Sequence, residues 1–139
     1  MRMINFQNGN FHITDKIIVG TDKNYDDVLQ LAPTNRTWDI KNGYKWIYFK
    51  DVEIDDLCFH IGICFHNERL FRIDFGFTNK VQKNLTWENW QYEDELKQKD
   101  TYENWLTKLI GEQRNFSWGK IGTYFDPRGG TSAISITYQ

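Results

Sequence analysis

Four residues on one short stretch carry side chains suited to a metal site or a nucleophilic pair: Cys58, His60, Cys64 and His66. At a spacing of two they project from one face of an extended strand, and both residue types bind zinc. Distance argues against a single site. At about 3.3 Å per residue, positions 58 and 66 lie roughly 26 Å apart, whereas all ligands of one zinc lie within about 2.3 Å of it. At most one i, i+2 pair could serve, and His12 is the only other histidine. A Cys–His nucleophile pair is the other chemistry open to this set. A mid-strand position, however, offers no helix N-terminus or nucleophile turn to lower a thiol pKa. The expectation is no metal, no cofactor and no catalytic residue. Cys58, Gly62 and Cys64 read as small residues beneath a packed helix, and six residues of strand hold the two cysteines beyond disulfide reach.

The glycine pairs give no phosphate loop: neither Gly129-Gly130 nor Gly119-x-x-Gly122 has the required spacing followed by a helix. They read as hairpin glycines and a strand bend. Carboxylates gather at Asp51, Glu53, Asp55 and Asp56, and again at Glu88, Glu93, Asp94 and Glu95. Such pairs could act as general acid and base, but a turn and a polar helix face are also where solvated charge is ordinary. Segments 22–56 and 86–110 hold fourteen of the nineteen acidic residues and eight of the seventeen basic ones. An acidic part of the chain thus opposes a basic-leaning remainder, a polarity that suits a protein partner of opposite charge. A total charge of −2 gives no general attraction to nucleic acid or to an anionic membrane.

The elements that position these groups follow from periodicity. A chain of 139 residues fits one domain. Short strands are expected around Ile4-Asn5-Phe6 and Ile17-Ile18-Val19, and a helix opened by Thr21 or Asp22 carries Tyr25, Val28, Leu29 and Ala32 on one stripe. Thr34 to Gly43 reads as a polar loop. Three strands then form an antiparallel meander: Tyr44 to Ile54, Leu57 to Phe65 and Arg69 to Phe77. In the third, Phe71, Ile73, Phe75 and Phe77 share a face. Residues 86–110 read as two helices, or one bent near Lys99-Asp100, because Asp94, Gln98 and Thr101 interrupt the apolar stripe. Phe116 to Phe125 and Ser132 to Tyr138 form a C-terminal hairpin. Trp105 and Trp118 belong to the core rather than to a ligand pocket. The fold class expected is α+β: a single antiparallel sheet, meander plus C-terminal hairpin, with two or three helices packed on one face, in one domain over 1–139.

The start of the chain shows no signal-peptide h-region and no apolar run long enough to span a membrane, so a cytoplasmic protein with reduced thiols is expected. From Trp87-x-x-Trp90 through Glu95, Trp105-Leu106, Trp118-Gly119-Lys120-Ile121, the run Phe125 to Gly130, and Ser132-x-Ile134-x-Ile136-x-Tyr138, the chain resembles a set of small bacterial proteins. That set includes immunity proteins of polymorphic and contact-dependent toxin systems. The likeness covers the C-terminal third and carries no catalytic residue. It implies an antitoxin-like role: binding a cognate toxin domain through the acidic surface of Asp51, Glu53, Asp55, Asp56, Glu93, Asp94 and Glu95. No nucleic-acid or membrane partner is expected. A small intracellular hydrolase or an adaptor module is the alternative.

Overall fold

Alternation of apolar and polar residues in the middle of the chain forces a sheet that buries one face. The computed structural model describes residues 3–5, 7–13, 17–31, 36–39, 42–54, 57–79, 92–126 and 131–139. In chain order these form β1 (Phe11–His12), β2 (Ile18–Val19), α1 (Tyr25–Leu31), β3 (Arg36–Asp39), β4 (Tyr44–Ile54), β5 (Leu57–His66), β6 (Arg69–Asn79), α2 (Tyr92–Ile110), β7 (Asn115–Phe116), β8 (Gly119–Asp126) and β9 (Thr131–Tyr138). The main sheet has seven antiparallel strands in the order β3-β4-β5-β6-β9-β8-β7, and β1 and β2 make a separate two-stranded sheet.

This corrects the expected α+β class. The protein is mostly strand, with a second small sheet and two helices among the described residues, one of them only seven residues long. β2 lies where a short strand is expected, at Ile18–Val19, but its pairing with β1 as a separate sheet, and β3, were not foreseen. Arg36–Asp39 lies within a stretch whose composition is that of a loop, yet it pairs with Lys45–Tyr48 along the edge of the sheet. Pairing with an established strand overrides weak local propensity. At the N-terminus Ile4 forms only an isolated bridge to Phe11, and the paired strands are β1 and β2.

The meander itself matches the residue pattern. Ile47, Phe49, Phe59, Ile61, Ile63, Phe65, Ile73, Phe75 and Phe77 are buried, and Ile134, Ile136 and Tyr138 of β9 with Ile121 of β8 extend the same face. One residue departs from the expected alternation. A bulge at Cys64/Phe65 pairs Phe65 with Leu70, so Leu70 is buried and Phe71 instead meets Tyr44 and His66. An extra residue in one strand reverses the facing of the residues beyond it.

Helix α1 starts later than expected. Asn24 Oδ1 accepts from the Asp27 N–H at 2.9 Å while Asp27 Oδ2 accepts from the Asn24 N–H at 3.0 Å, a reciprocal cap that fixes the first turn. Helix α2 runs unbroken through Lys99 and Asp100. Two of the three polar residues that argued for a break, Gln98 and Thr101, have partners. Gln98 Nε2 donates to the Phe77 carbonyl at 2.9 Å, and Thr101 Oγ1 donates back to the Lys97 carbonyl at 3.0 Å.

Gln98 reaches that carbonyl because β6 outruns its neighbour. The ladder between β6 and β9 covers only Arg72–Phe75 against Thr137–Ile134. Beyond it, α2 takes the place of a strand: the Phe77 N–H donates to Tyr102 Oη at 3.2 Å, and the Tyr102 hydroxyl donates to the Phe77 carbonyl at 3.3 Å. A buried backbone edge left without partners is costly, so these bonds hold helix and sheet in one register. The apolar stripe of α2 completes the contact. Leu106 is fully buried, and Trp105 lies 5.3–6.2 Å, ring to ring, from Phe59, Phe75 and Phe77. Past the helix end at Gly111, Arg114 Nη2 donates to Glu103 Oε1 at 2.7 Å and Thr123 Oγ1 to Glu103 Oε2 at 2.8 Å, tying α2 to β8.

Trp105 and Trp118 pack against the core but are half-buried rather than enclosed. Trp118 stacks on Phe116 at 5.1 Å and covers Gly9, where a Cβ would come within 2.6 Å of its ring. The Tyr138 hydroxyl donates to the Gly9 carbonyl at 2.6 Å, so the N-terminal turn is pinned to β9. Truncating the enclosed Leu106 to Ala should cost about 2–5 kcal/mol. Tyr102→Phe, which strips the hydroxyl from the Phe77 edge, should cost about 1–3 kcal/mol. Urea denaturation of both variants measures these losses.

Candidate functional site

With one face of the sheet given to the core, the residues between the buried positions point the other way. Two rows cross this second face. One runs Tyr48, Gly62, Asp74, Ser135 and Gly122; the next runs Trp46, Cys64, Arg72, Thr137 and Lys120. Neither helix lies here, since α2 meets the sheet through Phe59, Phe75 and Phe77 on the buried side. Cys58, Gly62 and Cys64, expected beneath a helix, alternate onto the face opposite the one that α2 meets.

Missing side chains let neighbouring groups close onto this face. A Cβ on Gly62 would come within 3.1 Å of the Tyr48 ring and 3.2 Å of the Trp46 ring, so the rings lean over the bare backbone of β5. A Cβ on Gly76 would come within 2.6 Å of Tyr102 Oη and 2.7 Å of His60 Nε2. Beside Gly62 lies a half-open pocket with a volume of about 510 Å³. Its walls are the stacked rings of Trp46 and Tyr48, 5.7 Å apart and 5° from parallel, with His60, Asp74 and the β9 residues Ser132 and Ala133 around them. Size and apolar lining with a few polar groups are those of a ligand or anchor site.

Beside the pocket stands a polar triad. Arg72 Nε donates to Asp74 Oδ1, at 2.6 Å, and the Tyr124 hydroxyl donates to Asp74 Oδ2 at 3.3 Å. The Arg72 guanidinium carbon stands 5.2 Å from the centre of the Tyr124 ring, within cation–π range. Burial pushes the Tyr124 hydroxyl up from its usual range, and the Asp74 carboxylate adds to this. The Ser135 hydroxyl, next to Asp74 in the row, is buried with no hydrogen-bond partner among the described residues.

The tempting cysteine–histidine set is now placed. Cys58 and Cys64 are buried and in no disulfide, His60 is exposed, and His66 stacks on Tyr44 at 4.3 Å. Among the described residues no three His, Cys, Asp or Glu side chains converge as metal ligands would. Burial, with the Asp74 carboxylate nearby, pushes the Cys64 thiol up to about 11 from 9.0, against the smaller opposing pull of Arg72. A thiol held protonated at neutral pH is a poor nucleophile.

Of the acidic residues expected to meet a partner, Glu53 is exposed on β4. Asp51 lies in β4, and Glu93, Asp94 and Glu95 in the first turn of α2 and just beyond, with side chains outside the described set; Asp55 and Asp56 are outside the described residues altogether. The pocket was missed. Its signal was available: β4 carries aromatic residues on both faces, and Gly62 and Gly76 stand on the strands beside them. No family model matches the chain, and no curated protein or solved structure matches it either. Among the described residues no helix is long and apolar enough to cross a membrane.

The Cys64 shift predicts an alkaline effect. A folded pKa above the unfolded one contributes stability that is complete below the unfolded value and is lost as pH rises through the folded value. Stability should therefore hold to about pH 9 and fall between pH 9 and 11. Tyr138, whose hydroxyl burial pushes up, adds to the loss further into alkali. Urea melts across this range should show a shallower fall for Cys64→Ser. An unchanged slope would contradict the assignment.

Proposed function

We propose that the chain is a binding protein of the immunity type, which occupies a cognate bacterial toxin domain in the cytoplasm and blocks it without turning anything over. The observation that carries this reading is the open sheet face. Among the described residues only one side of the seven-stranded sheet is covered, and the other side presents Trp46, Tyr48, Arg72 and Tyr124 in half-exposed positions around a preformed pocket. Trp, Tyr and Arg are the residue types that dominate binding energy at protein interfaces. An apolar patch edged by polar groups is a usual mark of an interaction surface. The resemblance of the C-terminal third to immunity proteins supplies the partner class. The protonated Cys64 thiol counts against the hydrolase alternative.

This reading moves the centre of the expected interface. The acidic segment around Glu53 becomes its margin, where charge governs the rate of encounter and its salt dependence more than the strength of the complex. The partner to test is the toxin domain encoded by the adjacent gene, by co-expression and by direct binding of the purified proteins. Trp46→Ala and Tyr48→Ala should each weaken binding about thirtyfold, the factor that corresponds to a loss of ~2 kcal/mol at an aromatic anchor. Both variants should still unfold cooperatively. Glu53→Lys should slow association while dissociation changes little. Failure of the folded wild-type protein to bind or protect against that domain would overturn the proposal. Loss of binding on Glu53→Lys with none on Trp46→Ala would return the interface to the acidic segment.

A further inference from the structure

The chain contains two asparagine–glycine pairs, Asn8-Gly9 and Asn42-Gly43. Such a pair has a chemistry of its own, because a glycine nitrogen, with no Cβ beside it, can reach the asparagine side-chain carbon. Both asparagine side chains are exposed, so the difference between the pairs lies with the glycines. Gly9 is buried and held on all sides. Its N–H donates to the Asn5 carbonyl at 2.7 Å, its carbonyl accepts from the Tyr138 hydroxyl at 2.6 Å, and the Trp118 ring closes over its α-carbon. Asn8 is engaged as well, with Oδ1 accepting from the Asn10 N–H at 3.0 Å. Gly43 is half-buried, immediately before β4, at a φ of 93° that favours glycine. Its carbonyl accepts from the Asn67 N–H at 2.9 Å. Among the described residues, however, neither its own N–H nor the Asn42 side chain has a hydrogen-bond partner.

We infer that Asn42 is a site of spontaneous deamidation, while the fold keeps Asn8 intact. This goes beyond the proposed binding role and does not depend on it. The Gly43 nitrogen gives up its proton and attacks Asn42 Cγ. A C–N bond forms, the Cγ–Nδ2 bond breaks, and ammonia leaves with the proton. Water, the only co-reactant, then opens the cyclic imide. Hydrolysis at Cγ gives aspartate in an unaltered backbone. Hydrolysis at the α-carbonyl gives isoaspartate, whose main chain runs through Cβ and Cγ and is longer by a carbon. Either product adds a negative charge just ahead of β4. Only isoaspartate displaces Gly43, and with it the carbonyl that the Asn67 N–H bonds. The change therefore reaches the turn at Asn67 and Glu68 that joins β5 to β6. At Gly9 the same attack requires the nitrogen to abandon the Asn5 carbonyl while Trp118 and Tyr138 hold the residue in place.

The test ages the full wild-type chain in mildly alkaline buffer at physiological temperature, both folded and in urea. Peptide mapping by mass spectrometry follows the two sites together. In the folded chain Asn42 should convert at least about tenfold faster than Asn8, whose glycine nitrogen is freed only by local opening. In urea the two sites should convert at similar rates, since each then presents an unhindered pair. Equal rates in the folded chain, whether fast or slow, would overturn the inference. The same preference in urea would assign it to local sequence and overturn the protection of Asn8 by the fold. Electron-transfer fragmentation separates the two products. In the isoaspartate form the Asn67 amide should lose protection against hydrogen exchange, whereas Asn42→Asp, which adds the charge alone, should keep it. Loss in both forms, or in neither, would overturn the effect assigned to the turn.

Discussion

The ladder joining β4, β5 and β6 decides which side chains meet α2 and which are left outside, because strand side chains alternate with a period of two. A slip of one residue would turn Phe59, Ile61, Ile63 and Phe65 outward and put Cys58, His60, Gly62 and Cys64 against Trp105 and Leu106. The true register is held from both ends. At the Gly43 end, the turn at Asn67 and Glu68, both at positive φ, sets how β5 and β6 meet, with the Asn67 N–H donating to the Gly43 carbonyl at 2.9 Å. At the other end, Tyr102 and Gln98 bond the backbone of Phe77 and so fix β6 against α2. The pocket is a consequence of that same register. Gly62 can admit the Trp46 and Tyr48 rings on the outer face only because its neighbours Ile61 and Ile63 are committed to the inner one.

The parts legible in the sequence were those with one clean period. β5 alternates without exception, and the stripe of Tyr102, Trp105, Leu106, Leu109 and Ile110 gives the buried side of α2. What escaped the pattern depended on contacts distant in sequence. Gln98 looks like a fault in an apolar stripe until the Phe77 carbonyl, 21 residues away, is found to need a donor. Phe71 looks like core until the bulge at Cys64/Phe65 is counted. β3 is four residues of loop-like composition made into strand by a neighbour. The α+β expectation failed for a related reason: it weighed helical periodicity in 86–110 and gave too little to short paired segments, which add up to a mostly β protein.

The candidate site was hidden by the attention that cysteine and histidine attract. Metal and nucleophile chemistry were the natural questions for Cys58, His60, Cys64 and His66, and the structure answers them with a protonated, buried Cys64 and a stacked His66. The chemistry lies instead in the residues that surround them. Aromatic rings on β4, the bare backbone of Gly62 on β5 and a carboxylate held by Arg72 and Tyr124 surround the pocket on which the proposed binding role rests.

A division of labour between the two faces is the central claim: one folds the chain and the other binds. Hydroxyl-radical footprinting, with and without the partner domain proposed above, tests it most directly, because oxidation of a ring follows its exposure to water. The account predicts fast oxidation of Trp46 and Tyr48 and slow oxidation of Phe59 and Phe75 in the free protein, with Trp46 and Tyr48 protected on binding. Slow oxidation of Trp46 in the free protein, or protection confined to the outer side of α2 while Trp46 and Tyr48 stay reactive, would contradict it.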